Sequence, residues 1–237
     1  NEYQIRKDEP VNARYYYRTN GLVNLDKSNM PSYQPEAYQK PGCPIIVDLN
    51  GDGLITVEDV DMKNVIPSLY WGFGNTFTYK NWDLDVFIYS QLGVDKYNDV
   101  YSWTSGRGLG NQTNNMSVYI KDVWHSELNP NGTIPGIAYE MASVSLPGGA
   151  GTDIGYENSS FVRVRNITLG YNFKPNQLGA LSKLLSGIRV YVDVQNPFTF
   201  TGYTGLDPEV NTGGNYKGGK AEYPQTRTFS LGAKLSF

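Results

Sequence analysis

Read two residues at a time, the stretch 227–237 separates into two faces. Phe229, Leu231, Ala233, Leu235 and Phe237 fall on one side, and Thr228, Ser230, Gly232, Lys234 and Ser236 on the other. Such alternation over roughly ten residues predicts a strand of bilayer-spanning length, apolar on one face and wet on the other. The pattern returns at 69–80, where Leu69, Trp71, Phe73, Phe77 and Tyr79 oppose Gly72, Gly74, Thr76, Thr78 and Lys80. Across a tight turn at Lys80 and Asn81, Trp82, Leu84, Val86 and Ile88 alternate with Asp83, Asp85, Phe87 and Tyr89 over 82–93, predicting a hairpin with acids on its wet side. At 188–200, Ile188, Val190, Val192 and Val194 oppose Arg189, Tyr191, Asp193 and Gln195. At 161–173 the apolar set is Ile167, Leu169, Tyr171 and Phe173, and strict parity adds Arg163 and Arg165 to the same face. That change along one strand is expected where it rises from lipid into water. A sixth strand is expected near 13–23.

The connections divide by length. Lys80 and Asn81 make a tight turn, and 174–187 is moderate, with Leu178, Leu181, Leu184 and Leu185 suggesting a short helix. By contrast, 94–160 and 201–226 are long and rich in Gly, Asn, Ser and aromatic residues. Alternating short and long connections predict an all-β, antiparallel up-and-down wall of a transmembrane barrel, its long loops extracellular. On this division 1–68 is a loop region and 69–237 the barrel strands. Tyr79, Trp82, Tyr171 and Phe173 are expected as the periplasmic aromatic girdle. These strands are too few to close a barrel, so a C-terminal piece of a larger wall is expected. The alternation also permits a second reading, a secreted Ca2+-bound β-sandwich that binds carbohydrate, its apolar faces forming an ordinary core.

Composition narrows the chemistry. The chain has 237 residues, 14% aromatic and 18% charged, with 19 Tyr and 26 Gly. No apolar run approaches the roughly 18 residues a membrane helix needs, so a crossing must use strands. A net charge of −3 without a basic stripe argues against nucleic acid. The single cysteine, Cys43, excludes an internal disulfide, and with only His125 beside it cannot build a zinc site. His125 is also the one histidine for any Ser-His-Asp arrangement, and a loop histidine is the plainer reading. Asp83 and Asp85 lie about 7 Å apart on one strand face, a glycosidase-like separation, yet paired acids on a channel wall are commoner. No enzyme is expected.

Two groups of residues are candidate sites. Asp48, Asn50 and Asp52, the Gly53 turn, the Leu54 carbonyl, Thr56 and Asp59 follow the spacing of an EF-hand loop, with Asp where Glu usually closes the ligand set. The cofactor expectation is therefore Ca2+ within 48–59. Among aromatic residues of the long loops, Trp103, Tyr119, Trp124 and Tyr203 are candidates to stack on a substrate.

An ordered series of blocks spans nearly the whole chain. After 48–59 come 70–84 (Tyr-Trp-Gly-Phe-Gly-Asn-Thr-Phe-Thr-Tyr-Lys-Asn-Trp-Asp-Leu), Trp124 with 129–135, and 160–171 (Ser-Phe-Val-Arg-Val-Arg-Asn-Ile-Thr-Leu-Gly-Tyr). Gln195-Asn196-Pro197-Phe198, 205–209 (Gly-Leu-Asp-Pro-Glu) and 223–229 (Tyr-Pro-Gln-Thr-Arg-Thr-Phe) complete it. Together they resemble the C-terminal part of SusC/RagA-type TonB-dependent outer-membrane transporters of Bacteroidetes. Pro197 stands where that pattern has leucine, which suggests a local bulge. The resemblance implies a barrel of about 22 strands in outer-membrane lipid, holding an N-terminal plug and a TonB box. It further implies a SusD-like lipoprotein lid, energy from TonB–ExbB–ExbD, and import of glycans or peptides. Neither the plug nor the TonB box is among these residues.

Overall fold

The computed structural model describes residues 7–9, 13–98, 101, 104, 116–136, 146–210 and 223–237. In chain order its strands are β1 Arg14–Tyr17, β2 Thr19–Leu22, β3 Pro44–Ile46, β4 Val60–Lys63, β5 Leu69–Tyr79, β6 Trp82–Leu92, β7 Asp95–Tyr97, β8 Gly151–Thr152, β9 Tyr156–Asn158, β10 Phe161–Phe173, β11 Gly187–Thr201 and β12 Thr228–Ser236. The five long strands form one antiparallel sheet in the order β12-β11-β10-β6-β5. β5 and β6 have 11 residues each, the length a tilted strand needs to cross hydrocarbon, about 9–11 residues. Lys80 closes their turn in the left-handed region, φ 55. Between β10 and β11 the chain makes short 3-10 turns at Pro175–Gln177 and Gly179–Lys183.

One face of this sheet is apolar and uncovered. Phe73, Phe77, Leu169, Val192, Phe198, Phe200, Phe229 and Leu231 all stand exposed on it, Leu231 at 77%. A soluble domain does not leave such a patch open, and the sandwich reading required those side chains in a core. The sandwich is therefore overturned. At the turn end, Trp82 meets Tyr171 edge-on at 4.8 Å and Tyr171 meets Phe173 at 4.7 Å, next to the Tyr79–Trp82 pair. The opposite face carries Thr76, Asp83, Asp85, Thr168, Asn172, Arg189, Asp193 and Lys234.

β10 departs from the sequence reading at one point. Its register to both neighbours shifts between Val164 and Asn166, leaving Arg165 as a bulged residue. The extra residue reverses parity. Arg163 pairs across with Tyr89 and Thr199, on the polar face, and Val162 and Val164 continue the apolar set of Ile167 and Leu169. The expected charged start to the apolar face is thus corrected. On β11 the same irregularity lies at Asn196 and Pro197. Asn196 takes φ 50, which its short amide tolerates, and donates to the Thr226 carbonyl at 3.1 Å.

Beyond the loop end of the sheet sits a separate core. β1 pairs with β4 antiparallel and β8 parallel; β2 pairs with β3, and β7 with β9. Ala13, Tyr15, Tyr17, Tyr38, Cys43, Ile46, Val60, Leu146 and Ala150 pack there. Burial pushes the Cys43 thiol pKa up to about 11, so it stays protonated and inert.

Candidate functional site

The polar face is wired across strands. Gly170 on β10 has Asp83 of β6 as one cross-strand partner and Tyr191 of β11 as the other. Because Gly170 has no Cβ, Asp83 and Arg189 meet over it: Arg189 Nη2 pairs with Asp83 Oδ2, and Nε donates to Oδ1 at 3.2 Å. Asn172 Nδ2 also donates to Asp83. Asp85 accepts from Thr76, and Asp193 accepts from Thr168 at 2.6 Å. Asp83 and Asp85 are thus committed to different partners rather than converging as an acid-base pair. His125 closes a loop turn, its Nδ1 accepting from the amides of Glu127 and Leu128.

At the loop end, Arg163 is 1% exposed and makes the densest ionic contact of the described residues. Its Nη2 donates to both oxygens of Asp207 at 2.9 Å, Nη1 to Glu209 at 2.8 Å, and Nε to Thr199 at 2.9 Å. Arg165, freed by the bulge, pairs with Glu209. Burial raises the pKa of the Asp207 carboxyl, but amide hydrogen bonds from Glu209 and Gln225 and the Arg163 guanidinium outweigh it, holding the group below the ordinary carboxylate range. The sequence reading recognised 205–209 as a block without its role. Two acids two residues apart, set against two arginines two residues apart, were the available signal.

In the 48–59 loop, Asp48 accepts from the amides of Gly51 and Gly53 at 2.7 and 2.8 Å, and Asn50 and Asp52 accept from the amides of Asp52 and Leu54. Gly53 makes the turn at φ 82. Oxygen donors suit Ca2+ by type. Asp59 differs: wholly buried, it accepts from Leu49 and Asn50 with one oxygen and from Thr56 with the other. Among the described residues no three His, Cys, Asp or Glu side chains gather around a common centre. Burial pushes the Asp59 pKa up, and the amide hydrogen bonds outweigh it and bring it below the usual range. Such a depressed group stabilises the fold above its unfolded pKa of about 3.9, and that contribution is lost as pH falls through the folded value. Asp59→Ala is expected to cost about 1–3 kcal/mol by orphaning these amides. Hydrogen exchange across 48–59 checks this, and wild-type protection there should fall in acid.

The aromatic candidates separate. Trp124 is wedged between Gly42 and Gly136, where a Cβ on Gly42 would overlap the indole. Tyr203 is 7% exposed and lies under Lys96 Nζ at 5.8 Å. Both serve as loop packing. Trp103 lies outside the described residues. Tyr119 meets Tyr101 edge-on at 5.4 Å, and both line a cavity of about 430 Å³ together with Asp153, Tyr156 and Glu157. The sequence reading missed the last three, which lie in a stretch without periodicity.

No protein-family model matches the chain. Over 208 residues it is 33% identical to the TonB-dependent receptor SusC of Bacteroides thetaiotaomicron, covering 85% of this chain and 19% of that one. Over 242 residues it is 28% identical to TonB-dependent receptor P3 of Formosa agariphila, covering 98% of this chain and 23% of the relative. Among solved structures it superposes on the RagAB peptide transporter with a TM-score of 0.65 at 23% identity, over 95% of this chain and 23% of that one. The chain spans about a fifth to a quarter of the length of the curated relatives it matches. A one-sided apolar sheet with membrane-length strands and this run of sequence likeness have one common meaning: the chain belongs to the SusC/RagA-type TonB-dependent receptors and forms a section of their outer-membrane β-barrel wall.

Proposed function

We propose that this section serves an energised importer of glycans or peptides, with its long loops outside the cell and its short turns in the periplasm. In this reading a SusD-like lipoprotein covers the loop end, and TonB–ExbB–ExbD drives transport through parts of the receptor beyond these residues. The observation that carries it is the division of the sheet into an exposed apolar face and a wired polar face, with short turns at one end and long loops at the other. The polar face fits the wall of a water-filled or plugged lumen. The peptide class has the support of a solved neighbour, RagAB, which is described as a peptide transporter; the glycan class rests on the family resemblance of the sequence blocks.

Two experiments test it. Cells lacking the receptor should lose uptake of labelled oligosaccharide or oligopeptide, and a protonophore should abolish uptake in the parent. Uptake indifferent to both treatments would sink the proposal. For orientation, Leu128→Cys, 84% exposed in a long loop, should label with a membrane-impermeant maleimide on intact cells. Leu184→Cys, 73% exposed at the turn end, should label only after lysis, with the protonated, buried Cys43 staying silent. The reverse pattern would invert the topology.

The reading keeps Ca2+ for the 48–59 loop as a weak site of Asp48, Asn50, Asp52, the Leu54 carbonyl and Thr56, with Asp59 closing the loop instead of binding the ion. Its support is the oxygen donor set and the Gly53 turn. Titration should then saturate only around 10⁻⁴–10⁻³ M, and chelation should leave hydrogen exchange outside the loop unchanged. Micromolar binding would make Asp59 a ligand.

A further inference from the structure

The cavity at the loop end lies between β2, β3, β9 and the 202–210 loop, and is open to solvent. Its volume of about 430 Å³ is within the range of small-molecule pockets, about 300–1,000 Å³. Its aromatic walls are held in place. Tyr156 stacks on Tyr16 at 5.6 Å and takes Tyr97 edge-on at 5.1 Å, and Tyr101 braces Tyr119. Hydroxyls from Thr19, Thr133 and Thr204 complete a polar lining.

Among the described residues the charges in this lining have one sign. Asp153 and Glu157 contribute carboxylates, and no described Lys, Arg or His lines the cavity. Glu157 is occupied by Asn98 Nδ2 at 2.8 Å and by the Thr204 amide and hydroxyl. Asp153 takes the Thr19 hydroxyl at 2.6 Å through Oδ1, and its Oδ2 accepts nothing among the described residues. Neither acid forms an ion pair among those residues. The lysine directly across from Glu157, Lys96, turns its Nζ to the carbonyls of Pro208 and Val210. Burial raises the pKa of the nearby Tyr16 phenol, and the charges of Asp61, Asp153 and Asp95 add to it.

We propose that this cavity binds the primary ammonium group of a small ligand, with Asp153 Oδ2 as its acceptor and the Tyr119 and Tyr101 rings as a cation-attracting wall. An ammonium group brings three donors and a positive charge to a site that offers acceptors, negative charge and aromatic faces. A carboxylate, sulfate or phosphate meets two like charges and no counter-charge among the described residues. The proposal rests on the importer reading, in which the loop end faces the medium. A peptide amino terminus and an amino sugar both supply this chemistry.

Isothermal titration of the intact receptor in detergent tests it, using trialanine and glucosamine, each beside its N-acetylated form. At least one free amine should bind tenfold or more tightly than its acetylated counterpart. Trialanine alone doing so assigns a peptide terminus; glucosamine alone assigns an amino sugar. Asp153→Asn should weaken that binding at least tenfold, and Asp153→Glu should recover part of it. Tyr119→Leu, at a ring 37% exposed, should weaken it without disturbing the fold. Equal binding of free and acetylated probes, no binding of either amine, or full affinity in both Asp153→Asn and Tyr119→Leu overturns the assignment. Energised uptake measured in parallel separates the two readings. Uptake that persists while the amine test fails removes the pocket alone, and wild-type cells without energised uptake remove the importer whatever the titration gives.

Discussion

Replacing Arg163 with methionine should free the 202–210 loop from the barrel wall. The guanidinium is almost wholly buried and is the only cation that Asp207 meets among the described residues. Removing one partner of a buried pair costs about 3–5 kcal/mol because the other charge is left without compensation. Here the loop can relieve that cost by lifting away against its remaining ties, which include Arg165 to Glu209, the Gln225 amide to Asp207, Lys96 to Pro208 and Val210, and Thr204 to Glu157. Hydrogen exchange at 203–210 should therefore accelerate by about two to four orders of magnitude, with little change in β10 and β11 at the turn end. The effect has a pH signature. In the wild type the depressed Asp207 pKa gives stability above about 3.9 that is lost as pH falls through the folded value. In the variant Asp207 keeps its burial without its guanidinium, so protonation relieves it, and the difference between the two proteins should shrink in acid. A constant difference from neutral pH to pH 3 would show that Arg163 holds the loop by packing alone.

Leu231→Arg carries the second large effect. Leu231 lies midway along β12 opposite Val192, on the uncovered apolar face. Arginine on the lipid side of a barrel costs about 2–4 kcal/mol near the midplane. Ser230→Arg, one residue away, points to the polar face beside Asp193 and should cost well under half as much. Reversible unfolding of the intact receptor from lipid vesicles measures both. Equal costs at the two positions would mean that neither face meets lipid.

The alternation of 69–80, 82–93, 188–200 and 227–237 made the wall legible because lipid on one side and water on the other impose a period of two on every residue between. The same logic failed at Arg165. A single bulged residue reverses the faces, and no local composition announces it, so strict parity puts Arg163 on the outer face above the bilayer, whereas it lies buried against Asp207. Pro197 gave half of the signal, marking the irregularity on β11 but not its partner on β10. The loop core was scarcely legible. Tyr15 and Tyr17 lie on a four-residue strand, Tyr38 ends a three-residue 3-10 turn and Cys43 just precedes a three-residue strand, all too short to show a period. In the 48–59 loop, spacing identified the turn at Gly53. Whether Asp59 points at an ion or at amides depends on side-chain direction, which spacing does not encode. Tyr119 was chosen for its type; the acids that make its surroundings distinctive are brought there by β8 and β9 from more than thirty residues away.

The outer strands of the large sheet, β5 and β12, each have one side without a strand partner among the described residues. In hydrocarbon an unmet backbone amide costs several kcal/mol, so neither edge is at rest until a neighbouring strand arrives. Both edges are therefore seams, the lines along which this section joins the rest of the wall by backbone hydrogen bonds.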